Sequence, residues 1–397
     1  MKADCIPTVF ICFLILIAGS GSGACGQRQD GPAFAGYFQR LFEEGSQLPV
    51  LRGTDRFDEV KRFPPRMSKF HPQAQKLVEA GGLNEIPFLR TQAAERSGDR
   101  RCLALLTLAL MAEHEDARDA LLNLAKVDSP FALLALSFME PQHIKDVATE
   151  LARDPAAYAR YKVFPLLAAC GGNDTLDWLR AHKLALRDTP ATDAVINDLG
   201  VAIAVLEKKL RLPEERQRIW QESLLLLWRA NRELPGFRGG NNHSISAQSL
   251  ASRGISVPAD VLEMQIRHGD LIAIALAGIQ KEESLVGPLS EFASKGLWAG
   301  MVAVSLGQIG SDDSFRALAE LLKPQDGASA AQGRGQILRS LQWECPTQSM
   351  VDFLETLCKD EQYKESWPAF RRVIDSINAR LRPRDPARKP QDFLPRR

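Results

Sequence analysis

The chain has 397 residues, with 50 basic and 49 acidic side chains, and carries a formal net charge of +1. That balance excludes a generally basic nucleic-acid-binding protein. A 45% apolar and 25% charged composition likewise excludes a chain disordered throughout. Aromatic residues make up only 7%, and Leu and Ala dominate, a mixture that favours packed helices over sheets.

The first 24 residues read as an address. Lys2 is followed by a largely apolar run from Ile6 to Ala18, and then by the small residues Gly19-Ser20-Gly21-Ser22-Gly23-Ala24 before Cys25. Charge, apolar stretch and small-residue zone are the order of a secretory signal. The apolar run is shorter than the about 20 residues a spanning helix needs. Ser22 and Ala24 would let an ordinary signal peptidase cut before Cys25. The same stretch resembles a bacterial lipoprotein signal, in which a lipidated Cys follows small residues; Ser22 stands where that pattern usually has Leu. Either route exports the chain, into the periplasm or onto an envelope membrane, with Cys25 as the lipid attachment site in the second case.

Residues 25–75 are expected to be a tether and N-terminal segment. It holds one short helix with an apolar face of Phe34, Tyr37, Phe38, Leu41 and Phe42, then a Pro-rich, charged linker over 48–75. From 76 to 189 a repeating pattern sets in. Leu105, Leu108, Met111, Ala117, Ala120 and Leu124 recur 27 positions on as Ala132, Ala135, Phe138, Ile144, Val147 and Leu151. Leu167, Cys170, Leu176 and Leu179 continue the series. Each unit is two apolar stripes at helical spacing joined by a short polar turn, such as Gly171-Gly172-Asn173-Asp174. Residues 190–260 predict two long helices broken at Pro213, then a Gly-, Ser- and Asn-rich insertion from Pro235 to Pro258.

The repeat returns over 261–382. Ala273, Leu276 and Ile279 meet Ala303, Leu306 and Ile309 at an offset of 30. At an offset of 35, Leu306, Phe315, Leu318 and Leu322 meet Leu341, Met350, Phe353 and Leu357, with the extra length in Pro324–Ala328. Residues 383–397 form a basic, Pro-rich tail for which no packed structure is expected.

Units of this length built from helix pairs indicate a stacked array. Ala303–Leu322, with Leu306-Gly307-Gln308-Ile309-Gly310-Ser311-Asp312 inside it, resembles the bacterial HEAT repeat of the PBS-lyase-like kind, although Ser311 stands where Asp is commonest. The resemblance covers about half the chain. It implies an all-α, right-handed helical-repeat solenoid in two blocks with an irregular middle segment, and says little about activity.

The residues offer little catalytic chemistry. No HExxH or CxxC occurs, and a single His114-Glu115 dipeptide is too little for the di-iron site of HEAT-type hydroxylases. Cys102, Cys170, Cys345 and Cys358 suit core filling. Cys345 and Cys358 would lie about 20 Å apart on one helix and would not pair, and a Cys102–Cys170 disulfide is left open. Arg238, Asn242 and His243, in the Gly-rich stretch, are the candidate partner-binding loop, because long loops on rigid scaffolds often carry function. The expected function is that of an exported, non-catalytic scaffold that binds a protein or peptide through its repeats. It would use no cofactor or metal, contact no nucleic acid, and touch a membrane only through a lipid on Cys25. The alternative is an enzyme, either a relative of HEAT-type chromophore lyases or a hydrolase using the 235–258 loop.

Export predicts a mature chain whose N-terminus, read by mass spectrometry, begins no earlier than Cys25. A soluble cytosolic form with an intact Met1 would contradict it. Incorporation of a fatty-acid analogue, lost in Cys25→Ser, identifies the lipoprotein route.

Overall fold

The structure is a computed structural model that describes residues 32–47, 67–95, 98–127, 130–154, 162–186, 193–232, 242–295, 298–324 and 328–382. The expected signal with Cys25, the 383–397 tail and Arg238 lie outside the described residues. Among the described residues all regular structure is helical. The helices are α1 (Pro32–Ser46), α2 (His71–Ala80), α3 (Ile86–Ala93), α4 (Asp99–Leu110), α5 (Glu115–Lys126), α6 (Pro130–Leu136) and α7 (Pro141–Arg153). Then come α8 (Phe164–Cys170), α9 (Asn173–Leu186), α10 (Asp193–Leu210) and α11 (Glu214–Ala230). The series ends with α12 (Asn242–Ser252), α13 (Ala259–Arg267), α14 (Leu271–Ile279), α15 (Val286–Ser294), α16 (Ala299–Ile309), α17 (Asp312–Leu322), α18 (Ala328–Glu344), α19 (Gln348–Leu357) and α20 (Trp367–Leu381).

Most of the repeating apolar positions are buried, while Leu124, Phe138, Cys170, Ile279, Phe315 and Phe353 are partly buried and pack against the core. Leu105, Leu108, Ala132, Ala135, Ile144, Leu151, Leu167 and Leu179 are all buried. In the second half Ala273, Leu276, Ala303, Leu306, Leu318, Leu322, Leu341 and Met350 are buried as well. One apolar cluster runs from Phe34 on α1 to Ile377 on α20.

The helices pack alternately. α12, α14, α16 and α18 lie side by side, and α13, α15 and α17 form a second row behind them; α2, α4 and α6 with α3, α5 and α7 repeat the scheme. Neighbours in the α14–α16–α18 row run in the same direction. The Ser305 hydroxyl donates to the Ile274 carbonyl at 2.7 Å. Gly300 faces Gln336 and Ser340, and Gly307 faces Leu341. Such close approach needs small residues: a Cβ on Gly278 would sit 2.6 Å from the Ser305 Cα. Behind that row, Phe315 stacks on Phe353 with ring centroids 4.8 Å apart, joining α17 to α19.

Turn chemistry sets the helix ends. Gly310, at φ 72°, closes α16 in the left-handed conformation that glycine adopts without strain. Ser311 then caps α17 through the Ser314 N–H. Asp270 and Thr347 cap α14 and α19 in the same way.

Three expectations are corrected. Pro235–Pro258 is not an insertion throughout, because α12 occupies Asn242–Ser252 and packs on α14. Ile245, Ala247 and Leu250 are buried there. Buried serines are compatible with this because their hydroxyls find acceptors: Ser246 donates to the Ala230 carbonyl and Ser244 to Glu344. The linker expected over 48–75 does not extend through 67–75, where Met67 and Phe70 are buried and α2 begins at His71, while the apolar face of α1 packs as expected, Phe34 and Phe38 meeting Phe88 edge-on at 5.9 and 5.4 Å. Cys345 and Cys358 do not share a helix: Cys345 follows α18 and Cys358 closes α19, with Pro346 breaking the chain between them. All four cysteines of the described residues, Cys102 and Cys170 included, are free thiols.

Leu306→Ala and Leu318→Ala, each emptying a fully buried site, are each expected to lower the unfolding free energy by roughly 2–5 kcal/mol. Glu355→Gln, on the exposed side of α19, should change it by no more than about 0.5 kcal/mol. Chemical denaturation followed by circular dichroism checks both.

Candidate functional site

The short helices leave carbonyl groups unpaired at their C-terminal ends, and cations from other helices reach them. Arg118 of α5 donates to the Ala112 carbonyl just past α4 at 3.2 Å. Lys209 of α10 donates to the carbonyls of Ala169 and Gly171, at the end of α8, at 2.5 and 3.0 Å. Arg229 of α11 donates through Nε to the Ser137 carbonyl beyond α6 at 3.1 Å, and through Nη2 to the same oxygen. Its guanidinium also lies 4.4 Å from the Phe138 ring centre. These groups are buried at a cost. Desolvation lowers Lys209 to about 8, although the neighbouring Cys170 favours its charge. Burial pushes Cys170 up to about 12, against the pull of Lys209 and Arg229. Burial, aided by Arg229, lowers His71.

Between α8 and α10 on one side and α11, α13 and α14 on the other, a cleft of about 340 Å³ opens. Its apolar wall is built from Val201, Val205, Leu224 and Leu227. Its polar groups come mainly from helix ends. Lys162 precedes α8, Asn231 and Arg232 follow α11, His268 closes α13, and Asp270 opens α14, while Asp198 projects from the first turns of α10.

Asp270 holds this arrangement together. It accepts the N–H groups of Ile272 and Ala273 at 2.8 and 2.9 Å, and the Asn231 side-chain amide at 2.9 Å. The last bond ties the end of α11 to the start of α14. Burial still pushes the Asp270 carboxyl up, against those bonds and the nearby His243. Arg232 stacks on Trp228, its guanidinium carbon 3.8 Å from the ring centre. Desolvation lowers Arg232 to about 10, with the charge of Asp270 acting the other way. Burial raises Asp198. It lowers His268, with Lys295 adding to the effect.

Of the residues singled out from sequence, His243 comes closest to this site. It stands half-buried in the first turn of α12, lowered by burial while Asp270 draws it back. Asn242 opens the same helix, and its side chain lies outside the described residues, as does Arg238. Ser244 is not offered to His243 as a nucleophile: its hydroxyl donates to Glu344 Oε2 at 2.9 Å. His114 stands at the start of α5, paired with Glu113 at 3.4 Å. Among the described residues no group of His, Cys, Asp and Glu could hold a metal ion, and no helix is long and apolar enough to cross a membrane.

Sequence reasoning missed Arg232, Asp198 and Asp270. Asp270 could have been found, since a carboxylate immediately before the apolar run Leu271–Ile279 is an N-cap signature. Arg232 had no such signal, because its stacking depends on where α11 ends. No family model, curated protein or solved structure matches the chain.

The Ser244–Glu344 contact generates a pH prediction. Burial raises the folded-state pKa of Glu344 above its ordinary value, against the hydrogen bond from Ser244. Its contribution to stability is therefore present in full below the unfolded pKa and is lost as pH rises through the folded one. Glu344→Gln keeps an acceptor for Ser244 and removes the charge. The variant should melt higher than the parent at neutral pH, and the two should converge near about pH 4, where the parent carboxyl is protonated. Thermal melts across that range check it, and a difference that stayed constant with pH would contradict it.

Proposed function

We propose that this chain is an exported, non-catalytic scaffold of the cell envelope that binds a protein or peptide partner. Its helices would form a right-handed, HEAT-like solenoid with repeat blocks over 76–189 and 261–382. The observation that supports the reading best is the row of α12, α14, α16 and α18 continuing through α11 into the cleft beside α8 and α10. A row of similar helices offers an extended surface with no demand for a reacting group. The cleft interrupts that surface where side chains from five helices converge, the kind of concavity in which ligands are held. Export rests on the Ile6–Ala18 run and the small residues before Cys25. A lipid on Cys25 would hold the scaffold at a membrane, while the repeats face the aqueous compartment.

A photo-crosslinking residue at Val201, in the cleft wall, and another at Arg371, exposed on α20, test the reading in cells. The scaffold reading expects one recurrent polypeptide adduct at Val201, diminished by an excess of competing parent protein but not by competing Val201→Glu protein, and missing at Arg371. Single substitutions along the repeats should weaken the complex gradually. Turnover of a substrate by the purified protein, cut about a hundredfold by His243→Ala without loss of stability, would instead assign His243 an acid–base role.

A further inference from the structure

We infer that the cleft between α10 and α11 is a receptor for a single carboxylate carried on an apolar residue, the C-terminal end of a partner peptide, with Arg232 as the group that grips it. The inference rests on the reading of the chain as a peptide-binding scaffold and names what its central site recognises.

The sheltered cations differ in how their donors are used. Lys69 pairs with Asp99 at 2.8 Å, and Arg118, Lys209 and Arg229 each donate to carbonyl groups at a helix end. Arg232 is largely withdrawn from water too, yet among the described residues it has no carboxylate within ion-pairing distance and donates no hydrogen bond. Asp270, the acid whose charge acts on it, already accepts from Ile272, Ala273 and Asn231 and makes no ion pair with it. A guanidinium presents five donors in a rigid fork. Here one face is covered by Trp228, and among the described residues the donors meet no acceptor, at the edge of an open cleft. Stacking fixes the plane in advance, so little freedom is lost when an anion docks.

The rest of the lining narrows the ligand. Asp198 and Asp270 face Lys162 and Arg232 on the same cleft, so the lining carries no excess of positive charge to hold a dianion such as a phosphate monoester. A monoanionic carboxylate presents two oxygens that match the fork. The wall of Val201, Val205, Leu224 and Leu227 offers nothing to a polar body and suits an aliphatic side chain. The amides of Asn197, Asn231 and Gln265 on the same lining can meet the peptide groups that precede the last residue. Carboxylate, aliphatic group and flanking amide together describe the end of a polypeptide better than they describe a free fatty acid.

Three probes titrated into the mature full-length chain by calorimetry separate these chemistries: acetyl-Gly-Gly-Leu with a free carboxylate, the same peptide as its C-terminal amide, and 4-methylpentanoate. The free-acid peptide is expected to bind at least about tenfold more tightly than the amide, with 4-methylpentanoate weaker again. Arg232→Gln should remove the acid's advantage and leave the amide unchanged, and Arg232→Lys should restore only part of it. If Arg232→Gln does not fold, Asp198→Asn serves instead, and should tighten the acid about threefold without affecting the amide. Equal binding of acid and amide would overturn the carboxylate assignment while leaving a peptide site in place. Tight binding of 4-methylpentanoate alone would overturn the peptide and point to a small-acid receptor. Absence of binding by all three at millimolar concentration would overturn the receptor itself, and the Val201 crosslink would then decide the scaffold reading independently.

Discussion

Capping of short helices by cations from elsewhere in the chain is the constraint on which the fold depends. Helices α6 and α8 have seven residues each, far fewer than an isolated helix needs in water. Nucleation is offset only by packing, and packing brings the terminal carbonyls out of reach of solvent. Each such end then needs a donor. Arg229 spans 92 positions of sequence to reach Ser137, and Lys209 spans 40 to reach Ala169. Helices α10 and α11 therefore pack on α8, and α11 reaches back to the end of α6. They are the longest helices before α12, at 18 and 17 residues, and their length lets one helix both cap a distant end and line the cleft.

The same constraint creates the site. Arg229 and Arg232 are one helical turn apart at the end of α11. One points its donors into the body of the protein and uses them on a carbonyl. The other lies over Trp228 at the mouth of the cleft. Burial without a partner is unfavourable for any ion, and the depressed pKa of Arg232 reports that cost. Among the described residues no carboxylate pairs with it, and in the proposed complex a ligand carboxylate would offset that cost.

How much of this was legible in the sequence follows from which forces leave a periodic trace. Burial of apolar stripes does, so Leu306, Leu318 and the residues around Leu105–Leu151 could be read with their offsets, and Pro213 marked the break between α10 and α11. Hydrogen bonding of hydroxyls does not. In α12 the serines look like loop residues until the Ala230 carbonyl and Glu344 appear beside Ser246 and Ser244. Long-range capping leaves no trace either, because Lys209 and Arg229 read as ordinary charges on helix faces. The site was thus half visible. His243 was singled out for lying in a polar stretch, and it stands near Asp270 because α12 is a helix rather than a loop.

Helix α11 also joins the helices before it to those after it. Asn231 to Asp270 is the hydrogen bond that joins the end of α11 to the start of α14, and Arg216 to Asp260, at 2.6 Å, joins the first turn of α11 to α13. Trp220 donates to the same Asp260 at 2.9 Å, so α11 is fastened to the second region near both of its ends. On its other side α11 is fastened to α6 through Arg229. A helix held at both ends transmits displacement as a rigid rod. A ligand that drew Arg232 toward α10 would load the Asn231–Asp270 bond and the Arg229 cap together, because all three residues lie within one turn of the same helix end. The bonds of Arg229, Asn231 and Arg216 thus make α11 the strut between the end of α6 and the helices α13 and α14, and the proposed ligand site lies on that strut.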